Sequence, residues 1–110
     1  MKKQEFLLQC QIVALLRFQG FLVFACANGG SRNYLEAVNL KRSGLLAGVS
    51  DLIIVLQKQV VFVELKTDKG KQQETQKKFE KEVIKRGHKY LLWRNIKDCQ
   101  DFINEYYNMK

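Results

Sequence analysis

Residues 48–66 run GVSDLIIVLQKQVVFVELK. Apolar stretches flank Gln57-Lys58-Gln59, so Asp51 to Leu56 and Val60 to Lys66 read as two antiparallel strands. Residues facing one another across such a ladder keep a constant index sum and share a face. A two-residue loop at Gln57-Lys58 sets Val55 opposite Val60, Ile53 opposite Phe62 and Asp51 opposite Glu64. A three-residue loop would turn Asp51 to the other face. The other face holds Leu52, Ile54 and Leu56 with Val61, Val63 and Leu65, an unbroken core surface. Both faces are therefore expected to be mostly buried, as in central strands.

In the first register the open end of the hairpin sets acid against acid, and directly opposed like charges destabilise a sheet by up to about 1 kcal/mol. Something positive is needed between them. Lys66, two residues past Glu64, projects from the same face. A hard divalent cation is the second candidate, since Mg²⁺ takes oxygen ligands from one or two carboxylates. The residues alone leave both readings open, a salt bridge at the core's edge or a cation site.

Around the hairpin, Phe6, Leu7, Cys10, Val13, Leu16 and Phe18 recur at helical spacing, giving a helix over Lys3 to Gln19 that ends at Gly20. Phe21 to Ala25 reads as a strand, and Asn28-Gly29-Gly30 as a turn. Residues 31–50 read as a long functional or mobile loop with Arg32, Lys41 and Arg42 against Glu36. Gln72 to Arg86 has Gln76, Phe79 and Val83 on one helical face and Lys77, Lys81 and Lys85 on another, closed by Gly87. Lys89 to Trp93 is a strand, and Asn95 caps a final helix carrying Ile96, Phe102, Ile103 and Tyr106. The expected order is α-β-β-β-α-β-α in one domain spanning residues 1–110.

The net charge of +8, from 19 basic and 11 acidic side chains, points to a polyanionic partner, nucleic acid first. Three widely spaced cysteines with no CxxC pair argue against a disulfide framework or a zinc site and for a reduced, cytoplasmic setting. No apolar run approaches the roughly 20 residues of a membrane span, and the first 20 lack a signal-peptide core. A solitary His88 and no nucleophile elbow leave chemistry to carboxylates, lysine and a metal.

Gly48-Val49-Ser50-Asp51 followed by Val63-Glu64-Leu65-Lys66 resembles the paired motifs of the PD-(D/E)XK nuclease superfamily. Glu5 and Gln9 on the first helix, Gly20, Asn28-Gly29, Gly70 and Gln76-Lys77-Lys78-Phe79 narrow the resemblance to its virus-type replication-repair nuclease (VRR-NUC) family. Ser50 departs from the proline of the superfamily name, at a position that shapes the turn and supplies no ligand.

The resemblance implies an α/β, restriction-endonuclease-like αβββαβ core with a mixed central sheet flanked by helices, followed here by a C-terminal helix. It implies Mg²⁺ or Mn²⁺ held by Asp51, Glu64 and the backbone carbonyl of Leu65, with Glu5 directly or through water. It further implies that Lys66 orients and polarises the attacking water, and that Gln76 contacts phosphate or the carboxylates. Small stand-alone relatives are virus-associated dimers acting on four-way DNA junctions. The implied activity is thus a structure-selective endodeoxyribonuclease, a homodimeric Holliday-junction resolvase leaving 5′-phosphate and 3′-hydroxyl ends. The alternatives are a flap or nicking nuclease of replication and repair, or a catalytically silent nucleic-acid-binding module. Lys69, Lys71, Lys77, Lys78, Lys81, Arg32, Lys41 and Arg42 are candidate phosphate contacts.

Overall fold

A computed structural model describes residues 3–26, 33–67 and 69–109. The elements are α1 (Lys3–Phe18), β1 (Leu22–Ala25), α2 (Tyr34–Arg42), β2 (Leu52–Val55), β3 (Val60–Leu65), α3 (Glu74–Lys85), β4 (Lys89–Trp93) and α4 (Ile96–Asn108). The expected turn at Asn28-Gly29-Gly30 and the candidate Arg32 lie outside the described residues.

The strands form one mixed sheet in the order β1-β2-β3-β4. β1–β2 and β2–β3 are antiparallel, β3–β4 parallel. A parallel neighbour demands a crossover, and α3 is that crossover. The hairpin takes the two-residue register: Leu52 pairs with Val63, Ile53 with Phe62, Ile54 with Val61 and Val55 with Val60. Leu56 N–H bonds to the Gln59 carbonyl at 2.9 Å, closing the loop on Gln57-Lys58.

One face of the sheet is the core. Val23, Leu52, Ile54, Val61, Val63, Leu65 and Trp93 pack there with Ile12 and Leu16 of α1 and Cys99 and Ile103 of α4. The opposite face departs from expectation, for it is buried only in part. There α3 lays Phe79 edge-on against Phe62, 5.2 Å between centroids, and against Tyr90 at 6.2 Å. Its β1 side stays open, leaving Leu22, Phe24 and Val55 exposed.

Two further readings are corrected. Residues 34–42, read as loop, form α2; Asn33 accepts the Glu36 N–H at 2.8 Å and donates to the Glu36 carboxylate at 3.1 Å, a reciprocal cap. In α1, the spacing of Phe6, Leu7, Cys10 and Phe18 marked the helix but not its buried side. Ile12 and Leu16 turn inward, while those four are exposed. Asn95 caps α4 as expected, accepting the Asp98 N–H at 3.0 Å. Among the described residues no helix is long and apolar enough to cross a membrane.

Candidate active site

Asp51 occupies the bend just before β2, where the Cys26 N–H donates to its carbonyl at 2.9 Å and carries the β1–β2 pairing one step further. Its side chain reaches across the hairpin, and Oδ2 accepts the Leu65 N–H at 2.8 Å. The carboxylate is thereby pinned to β3 beside Glu64. Two devices upstream hold this bend. The buried Ser50 hydroxyl donates to the Leu52 carbonyl at 3.1 Å. Gly48, at φ +88°, comes so close to the N-terminus of α3 that a Cβ there would lie 2.3 Å from the Thr75 carbonyl oxygen.

Glu64 is only 4% exposed, an unusual place for a carboxylate. Its Oε2 accepts from Gln76 Nε2 at 3.3 Å and lies 3.9 Å from Lys66 Nζ. Its Oε1 is buried, and no donor among the described residues reaches it. Burial pushes the Glu64 carboxyl up to about 8; the charge of Asp51, a hydrogen bond to Asp51 and the charge of Glu5 add to this, and Lys66 opposes it. Near neutral pH a carboxyl so placed is mostly protonated, and ionising it there takes more positive charge than Lys66 alone brings.

Lys66 follows β3, and its N–H donates to the Trp93 carbonyl at 3.1 Å, which keeps its side chain on the Glu64 face. Gly70 leaves room for the lysine stem, since a Cβ there would lie 3.3 Å from Lys66 Cδ. Gln76 faces the sheet from the first turn of α3: its Oε1 accepts the Gln73 N–H at 2.8 Å, which aims its amide nitrogen at Glu64. Glu5, half-buried on α1, accepts from Thr67 Oγ1 at 3.5 Å. Asp51, Glu64, Leu65, Lys66 and Gln76 are thus brought together, with Glu5 at the margin.

Among the described residues no three His, Cys, Asp or Glu side chains converge on one metal position. What the site offers is a carboxylate pair, one of whose oxygens is buried with no hydrogen-bond partner among the described residues, plus the peptide of Leu65. That donor set fits a hard divalent ion, which keeps several waters and needs only one or two protein carboxylates. Lys69, Lys71, Lys77, Lys78, Lys81, Lys41 and Arg42 are all solvent-facing. His88 stands apart, its Nδ1 accepting the Val60 N–H at 3.0 Å.

Sequence reasoning passed over three supporting groups. Thr67 follows Lys66 directly and holds Glu5. Gln72 donates to Glu80 at 2.9 Å beside the buried Tyr90 hydroxyl, continuing the polar side of α3 from Gln76. The i, i+4 spacing of Gln72, Gln76 and Glu80 was the available signal. Cys26 lies beside Asp51, and burial together with the Asp51 charge pushes its thiol up.

A four-stranded mixed sheet with an α3 crossover, carrying Asp51 and Glu-x-Lys at one end of its central hairpin, defines a nuclease-type domain of the restriction-endonuclease-like class. The VRR-NUC domain family model matches residues 1–94, and the chain belongs to that family. A solved structure described as a VRR_NUC domain protein has the same fold, with a TM-score of 0.77 at 21% identity over 96% of this chain and 89% of that one. No curated protein matches the sequence at a significant level.

Proposed function

We propose that residues 1–110 form a single structure-selective DNA endonuclease domain that depends on Mg²⁺ or Mn²⁺ and works as a homodimer on branched DNA, the four-way junction above all. The observation that supports this best is the Glu64 carboxylate, buried against Asp51 with an oxygen that no donor among the described residues reaches. A purely structural ion pair would leave that desolvation uncompensated, whereas a cation site puts it to use.

Asp51 and Glu64, with the Leu65 carbonyl, would hold the ion; Glu5 is placed to act through water. When bound, such an ion supplies Lewis acidity at the phosphate and acidifies water. Lys66 offers ammonium donors within reach of Glu64 and orients the nucleophilic water while countering the charge of the scissile phosphate. Gln76 donates to Glu64 Oε2 and so helps fix the rotamer of that carboxyl. Exposed Lys69 and Lys71, in the turn that follows Lys66, meet neighbouring phosphates and read shape rather than base sequence.

One observation favours a second reading, a silent nucleic-acid-binding module: Lys66 already lies 3.9 Å from Glu64, as in a simple salt bridge. Labelled linear duplex, flap and four-way junction, each with Mg²⁺, Mn²⁺ or EDTA, separate the possibilities. The proposal expects metal-dependent cleavage of the junction, with 5′-phosphate ends, that Lys66→Ala abolishes. Intact substrates in both metals would leave the binding module; preferential flap cleavage would make the protein a flap nuclease.

A further inference from the structure

Helix α1 carries apolar residues on two sides. Its inner side, Ile12 and Leu16, is core. Its outer side is a ridge of four residues spaced by four, Phe6, Cys10, Ala14 and Phe18, all exposed, with Leu7 beside it. Phe6 is 55% exposed, Leu7 50% and Phe18 86%. A soluble helix ordinarily turns one apolar stripe inward and a polar face outward, so an outer ridge of this kind marks a contact surface.

The order of sizes along the ridge says what covers it. Large, small, small, large reads the same in both directions, with its centre at position 12. A two-fold axis through that point sets Phe6 against the second copy's Phe18 and Cys10 against the second copy's Ala14. Self-complementarity of this kind is what an isologous interface requires: residue i meets j, and j meets i. The helix-packing geometry agrees. Ridges of i±4 spacing interdigitate at a crossing near −50°, so the axes approach closest at the middle, where the small residues are, and splay at the ends, where the rings are.

The area is sufficient for association. At their exposures the two rings and Leu7 present roughly 400 Å² of apolar surface per copy, taking about 150–250 Å² for a fully accessible aromatic. Tyr107 of α4, itself 45% exposed, adjoins the end of this helix: its hydroxyl donates to the Gln19 carbonyl at 2.6 Å and its ring packs against Phe21 at 5.9 Å. Two copies would then bury on the order of 1,000 Å², the size of a weak, reversible association.

We propose that α1 is the self-association surface of this protein, its outer ridge pairing antiparallel with that of a second copy about the point midway between Cys10 and Ala14. This names the interface of the homodimer invoked above and in that respect rests on it. Glu5 lies near one end of the same helix, so a two-fold about position 12 separates the two Glu5 residues by roughly 20 Å along the helix direction. One particle would carry two sites of opposite orientation, as paired incisions need.

Sedimentation equilibrium from about 1 to 300 μM tests the surface without reference to cleavage. The wild-type mass should rise from 12.9 kDa towards twice that value. Phe18→Glu should weaken the dimer more than about tenfold with an unchanged far-ultraviolet spectrum and melting temperature, and Leu35→Glu on the equally exposed α2 should not. Mild oxidation of Ala14→Cys should give a dimer linked to the second copy's Cys10, lost in Cys10→Ser/Ala14→Cys. A wild-type chain that stays at the monomer mass, or a Phe18→Glu chain that dimerises like wild type, would overturn the proposal. A chain that dimerises through α1 yet cuts no DNA in either metal would sink the nuclease reading and leave this surface standing.

Discussion

Gln76 Nε2 lies 3.3 Å from Glu64 Oε2, and the same amide is held from behind by the Gln73 N–H at 2.8 Å. The helix N-terminus thus dictates which end of the amide meets the carboxylate. Because donation to a carboxylate favours its charged form, removing the donor raises the Glu64 pKa further. Gln76→Ala should lower junction cleavage about tenfold at pH 7 and recover part of it by pH 9, as a pH–rate profile would record. Gln76→Glu, which adds another acid beside Glu64, should be worse than Gln76→Ala at every pH.

Without metal, Glu64 makes stability depend on pH. Its folded pKa of about 8 stands above its ordinary value of 4.5. The folded state therefore binds the proton more tightly, and stability is fullest below about pH 4.5 as far as this group is concerned. It falls as pH rises through 8, by on the order of a few kcal/mol. Urea melts in EDTA should give a lower midpoint at pH 8.5 than at pH 5.5, and Glu64→Gln should flatten that difference. Saturating Mn²⁺ should restore the wild-type midpoint at pH 8.5, because a divalent ion prefers the ionised pair.

Gly48 joins the Asp51 bend to α3, so its side-chain-free backbone is a structural requirement. An alanine there bears the left-handed backbone cost of roughly 1–2 kcal/mol, and its methyl meets the Thr75 carbonyl besides. Gly48→Ala should cost more than about 2 kcal/mol in chemical denaturation and should depress cleavage beyond what the lost stability explains. Gly44→Ala, also at positive φ but with nothing among the described residues within 4 Å, should cost only the backbone part.

The Asn33 cap supports a helix with no buried residue. Asn33→Ala should lower amide protection across residues 36–41 by up to about tenfold, corresponding to about 1 kcal/mol of local stability. The global denaturation midpoint should barely move, because helix α2 contributes little to the core.

These elements also mark how far the sequence could be read. The hairpin was legible because strict alternation and a short loop admit few registers, and Leu52, Ile54, Val61, Val63 and Leu65 do fill the core. That register alone brought Asp51 to Glu64 across the ladder. Helix α2 was hidden because its Asn33-to-Glu36 cap is followed by no strong apolar stripe, and a helix without a buried face has a weak period. On α1 apolar residues lie on nearly every side, so spacing identified the helix but could not choose its inner face. The Thr67 contact to Glu5 joins residues 62 positions apart, and only the packing of α1 beside the end of β3 creates it.

The central claim is that Asp51 and Glu64 together grip a divalent cation, and Mn²⁺ binding measured by calorimetry tests it most directly. The wild-type protein should bind Mn²⁺ more tightly at pH 8.5 than at pH 6, and the nearly isosteric Glu64→Gln and Asp51→Asn should each lose at least tenfold in affinity while keeping the fold. Equal binding by all three proteins, or no binding by the wild type at either pH, would contradict the account.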